Sequence, residues 1–510
     1  MELIVLNVKN CKNHLLLLIP KLCRIFVIYK NFLKKLGYIL LLILAFGYFI
    51  SCEDEKYLSS SDVKLRFSVD TVMFDTVFTT IGSTTQHLKI YNPFDQKVLI
   101  SSVKLAKGEM SNFRLNINGV SANEVNDLEI APFDSLYIFV EVTIDPSGQN
   151  LPLVVKDSIV FLTNSNQQDV DLVAWGQDFV LVRQQRLKNT TWTNEKPYLV
   201  YNYAFVDSNA TLTIEPGTKI YFHKDAGLYV KGNVLAKGTV ENPIVFHGDR
   251  LEDVYSDVPD QWNGILLYSG SLNNEFLNVE IKNANIGLQV GNIENEGFAS
   301  VKLTNTKIQN MAYAGIFAMK SEINADNCLI TNCGFYAVAL LVGGSYEFNH
   351  STIANYWGGY GFKARSTPSL QIQNYLIISK DKPAYIGDLS KANFGNCIIA
   401  GNVIDGNELL LGQRADALFN YKFDKCLLQV ADTFNTSNAE HFVNILKGLD
   451  PKFVDPYKKY NFELDTLSPA KDAGRLSIGR LVPTDLKGRD RLLDKGPDLG
   501  ALERQEKKAK

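Results

Sequence analysis

A short phrase of polar and apolar positions recurs between Phe276 and Leu428. An Asn is followed by an Ile three positions later and by a second Asn five positions later, as in Asn278–Asn283, Asn305–Asn310 and Asn327–Asn332. Later copies start at His350, Asn374, Asn396 and Lys425 and keep fewer of these marks. Successive copies lie 22 to 29 residues apart. A period of this length, built from β-branched and Asn-rich phrases, is typical of a solenoid of stacked strands.

The apolar mark of each copy is predicted to stack on its equivalent one coil away. The column comprises Ile281, Ile308, Ile330, Ile353, Ile377, Ile399 and Leu428. The Asn residues beside it are predicted to bond their amides along the stack at bends. We interpret both columns as scaffold, so we expect function where the phrase breaks, near Tyr356 to Arg365.

Residues 64–180 follow a different pattern, best seen in the period-two alternation from Leu136 to Ile144. Other strand candidates are Leu88–Tyr91, Val98–Leu105, Asp157–Leu162 and Val170–Ala174, separated by Pro, Gly and Asn turn signals. Short alternating strands at this spacing predict an antiparallel β-sandwich. The phrases FDTVFTTIGSTTQHLKIYNP, LEIAPFDSLYIFVEVTIDP and DSIVFLTN resemble bacterial Ig-like domains of the abnormal-spindle/hydin type. That resemblance implies a spacer or a protein-binding module without catalysis.

After a predicted linker at 181–202, glycines punctuate short apolar runs in LTIEPGTKIYFHKDAGLYVKGNVLAKGTVENPIVFHGD, and QWNGILL follows. These phrases resemble the opening coils of secreted right-handed parallel β-helix proteins of the pectin-lyase-like superfamily. The predicted fold class is therefore all-β, with a right-handed parallel β-helix at 203–448 preceded by an Ig-like β-sandwich.

Residues 449–503 contain LSPAKDAG and PDLGALE, which resemble the choice-of-anchor module that follows many bacterial β-helices. Six polar residues match that module: Asp472, Asp485, Arg489, Arg491, Asp498 and Glu503. We expect them to form a salt-bridged cap on the last coil. Residues 504–510 are expected to be a solvated tail.

The N-terminal residues predict where the protein is located in the cell. Lys34 and Lys35 precede an apolar run from Tyr38 to Ile50, which is too short to span a bilayer and fits a signal peptide at 1–51. The phrase Phe49-Ile50-Ser51-Cys52 resembles the lipobox of bacterial lipoprotein precursors, although Phe49 departs from the usual Leu. The resemblance implies acylation of Cys52, a tether at 52–63 and a lipid anchor in the outer membrane; a membrane anchor or an uncleaved signal is the alternative. The acidic run Glu53–Glu55 resembles an export signal to the cell surface, or is a solvated tether.

Charge restricts the partners. From Cys52 onward the chain has 45 Lys and Arg against 54 Asp and Glu, a net charge of −9. This balance argues against nucleic acid and against anionic headgroups as partners. Cys328, Cys397 and Cys426 occupy one position of the repeat, which favours stacked buried thiols over disulfides or a metal site.

Two stretches hold candidate site residues. Tyr356, Trp357 and Tyr360 lie on a Gly-rich corner followed by Lys363 and Arg365, where rings could stack on sugars and cations could meet carboxylates; rings that only pack over the corner are the alternative. Asp249, Asp253 and Asp257 crowd the loop before Trp262 and suggest a Ca²⁺ site, or a solvated acidic loop. No other cofactor is expected.

Enzymes on the resembled fold cleave polysaccharides with paired carboxylates or with a basic residue beside carboxylates. Neither pattern is recognised, because Glu280, Asp326 and Glu347 occur singly in different coils. The sequence therefore favours a surface lipoprotein that binds glycan or protein ligands without catalysis. A polysaccharide lyase or glycoside hydrolase and a purely structural envelope protein are the alternatives.

Overall fold

A computed structural model of the chain describes residues 56–146, 153–293, 297–358, 365–404 and 406–504. The predictions for the signal peptide, Cys52, Tyr360 and Lys363 lie outside these ranges. Nearly all of the regular secondary structure in the described residues is β-strand. None of their helices has the length and apolar character needed to cross a bilayer.

The first ten strands form the N-terminal unit. They are β1 (Arg66–Phe67), β2 (Thr71–Phe78), β3 (Gln86–Tyr91), β4 (Val98–Leu105), β5 (Phe113–Ile117), β6 (Val120–Ser121), β7 (Glu124–Ile130), β8 (Ser135–Val142), β9 (Leu153–Thr163) and β10 (Asn166–Gln177). They make two five-stranded sheets, ordered β1-β3-β8-β5-β6 and β2-β10-β9-β4-β7. Both sheets contribute to one core that includes Phe74, Phe113 and Phe161. The predicted β-sandwich is confirmed, because the alternating apolar positions face inward between the sheets. It is not wholly antiparallel as predicted, since β2 pairs with β10 in parallel.

The next strands wind into the solenoid. Its early coils contain β11 (Val180–Leu187), β12 (Thr190–Trp192), β13 (Tyr198–Val206), β14 (Thr211–Ile214), β15 (Lys219–Phe222), β16 (Gly227–Val230), β17 (Asn233–Lys237), β18 (Ile244–Gly248), β19 (Trp262–Leu267), β20 (Asn274–Leu277), β21 (Val279–Lys282), β22 (Ala284–Val290) and β23 (Ser300–Thr304). Its later coils contain β24 (Lys307–Met311), β25 (Ala314–Asp326), β26 (Leu329–Cys333), β27 (Tyr336–Asn349), β28 (Thr352–Asn355), β29 (Leu370–Gln373), the hairpin strands β30 (Tyr375–Leu376) and β31 (Tyr385–Ile386), β32 (Leu389–Gly395), β33 (Ile398–Gly401), β34 (Leu409–Gly412), β35 (Lys422–Asp424), β36 (Leu427–Leu428), β37 (Phe442–Val443) and β38 (Leu446–Lys447).

All strands of this solenoid except the hairpin belong to one sheet of 26 strands that wraps around the core. Each strand pairs in parallel with the strand one coil away, as β18 pairs with β21 and β21 with β24. Three faces result. The first face holds β15, β18, β21, β24, β26, β28, β33, β36 and β38; the second holds β16, β19, β22 and the starts of β25 and β27, then β29 and β34; the third holds β14, β17, β20, β23, the ends of β25 and β27, β32, β35 and β37. The predicted parallel β-helix is confirmed.

The apolar column lies on the first face and is almost as predicted. Ile281 pairs with Ile308, Ile308 with Ile330 and Ile330 with Ile353. The next partner of Ile353 is Ile399, so the prediction for Ile377 is wrong. Ile377 follows β30 and is 48% exposed, because residues after β29 leave the stack as the β30–β31 hairpin.

The first Asn of each phrase stands at a bend, with positive φ at Asn278, Asn305, Asn327 and Asn396. Asn tolerates this left-handed region better than other side chains with a Cβ. Asn305 donates to Oδ1 of Asn278 at 3.1 Å, and Asn327 donates to Oδ1 of Asn305 at 2.9 Å. The predicted amide ladder is therefore present. Asn374 does not join it, since its amide instead donates to the carbonyl of Arg414 at 2.9 Å.

The thiols predicted at one repeat position, Cys328, Cys397 and Cys426, are free and buried, with Ser351 at the equivalent position of the coil between Cys328 and Cys397. By contrast, the predicted linker at 181–202 is wrong. Val180 to Leu187 pair in parallel with residues of β13, so this stretch already forms the first coil. The chain therefore passes from the sandwich to the solenoid through the short turn between β10 and β11, and the two units also touch through the rings of Phe78 and Tyr221, whose centroids are 5.3 Å apart.

The C-terminal module contains β39 (Phe453–Asp455), β40 (Asn461–Leu464) and the short helix α1 (Leu476–Leu481). Its apolar residues, which include Phe462, Leu486 and Leu499, pack on the outer side of the first face. That side presents Leu329 and Ile398. The expected cap therefore covers the flank of several coils instead of closing the last one.

Candidate functional site

One corner of the solenoid, between its first and second faces, carries aromatic side chains on three successive coils. Tyr313 lies between β24 and β25, Phe335 between β26 and β27, and Trp357 after β28. The backbone N–H of Phe335 donates to the carbonyl of Tyr313 at 2.9 Å, which fixes these residues one coil apart. Trp357 lies beside Gly334, since a Cβ on that glycine would be 3.5 Å from the indole. We call Tyr313, Phe335 and Trp357 the aromatic column.

Two rings of this column are in direct contact, and further rings flank them. The Tyr313 and Phe335 centroids are 5.0 Å apart at a tilt of 39°. Phe317 and Tyr336 flank Tyr313 edge-on at 5.7 and 6.1 Å. Phe335 is 48% exposed. Burial raises the pKa of both Tyr313 and Tyr336, so their hydroxyls remain protonated donors at neutral pH.

The sequence interpretation found Trp357 but missed Tyr313 and Phe335. The signal was present, because the three rings follow one another at intervals of 22 residues, the spacing of the repeat itself. An aromatic residue four or five positions after the apolar mark was thus a second column in the same pattern.

Tyr356, the neighbour of Trp357, points the other way. It is 8% exposed and packs edge-on against Tyr457 at 5.2 Å and Phe453 at 5.9 Å. Burial raises the pKa of its hydroxyl above the usual range. Its ring fastens the C-terminal module to the solenoid, so contact with a ligand would require the module to move.

Arg365 is also buried and paired inside the chain. Its Nη2 atom donates to both carboxylate oxygens of Glu408, at 2.7 and 2.8 Å, and to the carbonyl of Asn355 at 2.8 Å. Glu408 also accepts from the backbone N–H and the hydroxyl of Ser369, at 2.8 and 2.7 Å. A carboxylate with this many donors is a structural anchor, so Arg365 is engaged within the chain and is not available to a ligand.

The three aspartates suggested for Ca²⁺ have different surroundings. Asp249 binds the His223 ring at 2.7 Å, and Asp257 accepts from Lys282 at 3.2 Å and from Asn310 at 2.9 Å. Asp253 lines a cleft beside β2 of the sandwich. Within the described ranges, no group of three or more His, Cys, Asp or Glu side chains has the arrangement of a metal site.

Two carboxylate side chains are neighbours on the third face, and the sequence did not indicate this pair. Asp326 pairs with Asn349 and Asn324 pairs with Glu347, so Asp326 and Glu347 are diagonal neighbours on adjacent strands. Strand geometry places their Cα atoms roughly 8 Å apart. Burial raises the pKa of Asp326, the hydrogen bond from Asn349 opposes this rise, and the negative charge of Glu347 adds to it. Glu347 is held by Lys391 at 2.8 Å.

The six polar residues predicted in the C-terminal module form one network, in which Asp485, Arg491, Asp498 and Glu503 are buried and Asp472 and Arg489 are half-buried. Arg491 binds Glu503 at 3.0 Å, and Arg489 binds Asp485 at 2.7 Å. Asp498 accepts the backbone N–H of Asp472 at 2.7 Å. Burial raises the pKa of Asp498 to about 6 and that of Glu503 to about 8. Because four of the six side chains are buried and all six have partners within the chain, their arrangement fits a structural fastening.

Three comparisons place this geometry among known proteins. No curated protein matches the chain. Among solved structures, the chain has a likeness to a family 123 glycoside hydrolase from Clostridium perfringens, studied for glycolipid glycan hydrolysis. It has 10% identity, covers 23% of this chain and 26% of that one, and has a TM-score of 0.16, so it carries no argument about function. The family described as the right handed beta helix region matches residues 186–353 and 263–426, and the solenoid is similar to that family over these coils.

Proposed function

We propose that the chain is a lipid-anchored protein of the outer membrane that presents its solenoid to bind a neutral glycan along the aromatic column. The observation that carries this proposal is the column itself: Tyr313, Phe335 and Trp357 stand on consecutive coils at one corner. Strands in a sheet are about 4.8 Å apart, so the three rings extend over roughly 10 Å. That length suits two or three sugar units stacked on their apolar faces.

Charge supports a neutral ligand over an acidic one. The chain from Cys52 onward has a net charge of −9. Arg365, the cation that could have met a sugar carboxylate, is engaged by Glu408. A uronate or sulfated chain would therefore meet repulsion from the net charge of the chain, and the guanidinium of Arg365 is not free to offset it.

A glycan array tests the proposal. Residues 53–510 should bind one or more neutral polysaccharides in preference to uronate-containing and sulfated ones, and Trp357→Ala should reduce the signal. The proposal fails if no glycan binds, if acidic glycans are preferred, or if the Trp357 variant binds as wild type does. If the partner is instead a protein, residues 53–510 should retain that protein in a pull-down and give no signal on the glycan array.

A second candidate function is glycoside hydrolysis on the third face. The observation that favours it is the diagonal pair of Asp326 and Glu347. Inverting hydrolases hold the carboxyl groups of a protonated acid and of an ionised carboxylate about 6.5–9.5 Å apart. Side chains whose Cα atoms are roughly 8 Å apart on one face of a sheet can adopt such a separation. The raised pKa of Asp326 suits the acid, and Glu347, paired with Lys391, suits the base.

Reducing-end release from a panel of neutral polysaccharides tests this second candidate. Asp326→Asn and Glu347→Gln should each abolish release, whereas Glu322→Gln, on the same strand as Asp326, should not. Release that survives both changes, or no release from any member of the panel, would rule it out.

A further inference from the structure

A cavity lies where the sandwich meets the solenoid, far along the chain from the aromatic column. Its volume is about 250 Å³. The sandwich contributes Asp75 and Thr84, and the solenoid contributes Tyr201, His223 and Glu252. A larger polar hollow of about 640 Å³ shares Asp75 and continues along the same junction.

One wall of the cavity is a pair of stacked rings. The centroids of Tyr201 and His223 are 4.2 Å apart and their planes are 15° from parallel. Nδ1 of His223 lies 2.7 Å from Oδ2 of Asp249, which sets the orientation of the imidazole. Burial, together with the charge of Asp249, raises the pKa of Tyr201, so its hydroxyl stays protonated.

The loop after β18 contributes an ion pair to the lining of the same cavity. Arg250 donates to Glu252 from Nη2 at 3.1 Å and from Nε at 3.2 Å, and its guanidinium lies 3.7 Å from the Tyr255 ring centroid. Burial works to raise the pKa of Glu252, but the bonds from Arg250 outweigh it and the net change is a lowering. Thr84 of the sandwich and Glu252 of the solenoid both line the cavity.

We propose that this cleft is a binding site for a single neutral sugar residue, independent of the aromatic column. The Tyr201–His223 stack supplies a flat apolar wall, and the carboxylates of Asp75, Asp249 and Glu252 supply hydroxyl acceptors. A concave site with a few fixed polar groups on ring-bearing walls is the usual form of a small-ligand pocket. Three carboxylates face one cation, Arg250, which is already paired, so an acidic sugar is excluded by charge.

Titration by saturation-transfer NMR tests this site with four probes: the methyl glycosides of glucose, galactose and mannose, and glucuronate. Residues 53–510 should bind at least one of the neutral glycosides and not glucuronate. Tyr201→Ala and Glu252→Gln should each weaken binding about tenfold or more. Asp257→Asn is the matched control, because Asp257 lies in the same loop but is bonded to Lys282 and Asn310.

Circular dichroism checks that each variant is folded, and Glu252→Gln, a change that keeps the size of the side chain, gives a second result should Tyr201→Ala not fold. The site is disproved if no neutral glycoside binds, if glucuronate binds equally well, or if Glu252→Gln binds as wild type does. Loss of binding in Phe335→Ala with binding kept in Glu252→Gln would assign the signal to the aromatic column and also overturn this inference.

Discussion

Arg491 donates a hydrogen bond from Nη2 to Oδ1 of Asn327 at 2.7 Å, and this bond joins the C-terminal module to the asparagine ladder of the solenoid. Arg491 is fully buried, and it also binds Glu503 at 3.0 Å and the carbonyl of Gly500 at 3.0 Å. One side chain thus connects three parts of the fold. The module is therefore expected to stabilise the coils on which it packs.

Arg491→Ala should destabilise this region strongly. The change leaves Oδ1 of Asn327 and the carbonyl of Gly500 buried without their donor, and each buried polar group left unsatisfied costs about 1–3 kcal/mol. Urea unfolding of residues 53–510 and protease sensitivity of the C-terminal module would measure the loss. Lys487→Ala is the control, because the Lys487–Glu463 pair is largely exposed and should contribute under about 1 kcal/mol. Equal effects of the two changes would contradict the fastening role.

Asn305→Ala should test the ladder itself. Asn305 donates to Asn278, accepts from Asn327 and has a φ of 49°. Alanine loses both bonds and strains the left-handed backbone, for an expected loss of about 2–4 kcal/mol in the free energy of unfolding. Asn305→Gly keeps the backbone relaxed and should lose less. If glycine were as damaging as alanine, the positive φ would not be the reason for Asn at these bends.

His350 should make the protein sensitive to acid. It is buried and occupies a ladder position with a φ of 46°. Its Nε2 atom lies 2.9 Å from Nδ2 of Asn396. Burial, assisted by the positive charge of Arg491, lowers its pKa well below the usual value. The unfolded chain therefore takes up a proton near pH 6.5 that the folded chain does not. The free energy of unfolding that depends on neutral His350 is intact above that pH. It falls by about 1.4 kcal/mol for each pH unit below it.

His350→Asn removes this titration and restores the ladder residue found at Asn327 and Asn396. Thermal unfolding between pH 7 and pH 5 should therefore show a smaller acid-induced drop in the variant than in the wild type. Parallel pH profiles for the two proteins would show that His350 is not the source of the acid sensitivity.

Cys52→Ser should abolish fatty-acid labelling of the protein in cells, because the thiol is the predicted acylation site. Cys23→Ser is the control, since Cys23 lies in the predicted signal peptide and should leave labelling unchanged. Metabolic labelling with an alkynyl fatty acid gives the measurement. Continued labelling of the Cys52 variant would refute the lipid anchor.

The sequence predicted the parts of the fold that repeat. Equivalent residues of a solenoid meet their own copies, so a local period is enough to place Ile308 on Ile330 and Asn305 on Asn327. The period failed at Ile377, because an inserted hairpin imitates the length of a coil without joining the stack. The step from Ile353 to Ile399 is one coil, although it contains about twice the usual number of residues.

The placement of the C-terminal module could not be predicted in the same way. Its contacts join residues far apart in the chain, such as Arg491 and Asn327, and no spacing records them. The diagonal pair of Asp326 and Glu347 was missed for a related reason. The exact register of β25 on β27 decides whether two single acids on successive coils become neighbours.

The most direct test of the proposed function compares two exposed phenylalanines. Phe335, in the aromatic column, is 48% exposed, and Phe298, in the loop before β23, is 47% exposed. Calorimetric titration of residues 53–510 with the best neutral glycan from the array should show at least about tenfold weaker binding for Phe335→Ala and no change for Phe298→Ala. Unchanged affinity in Phe335→Ala, or equal losses in the two variants, would contradict the account.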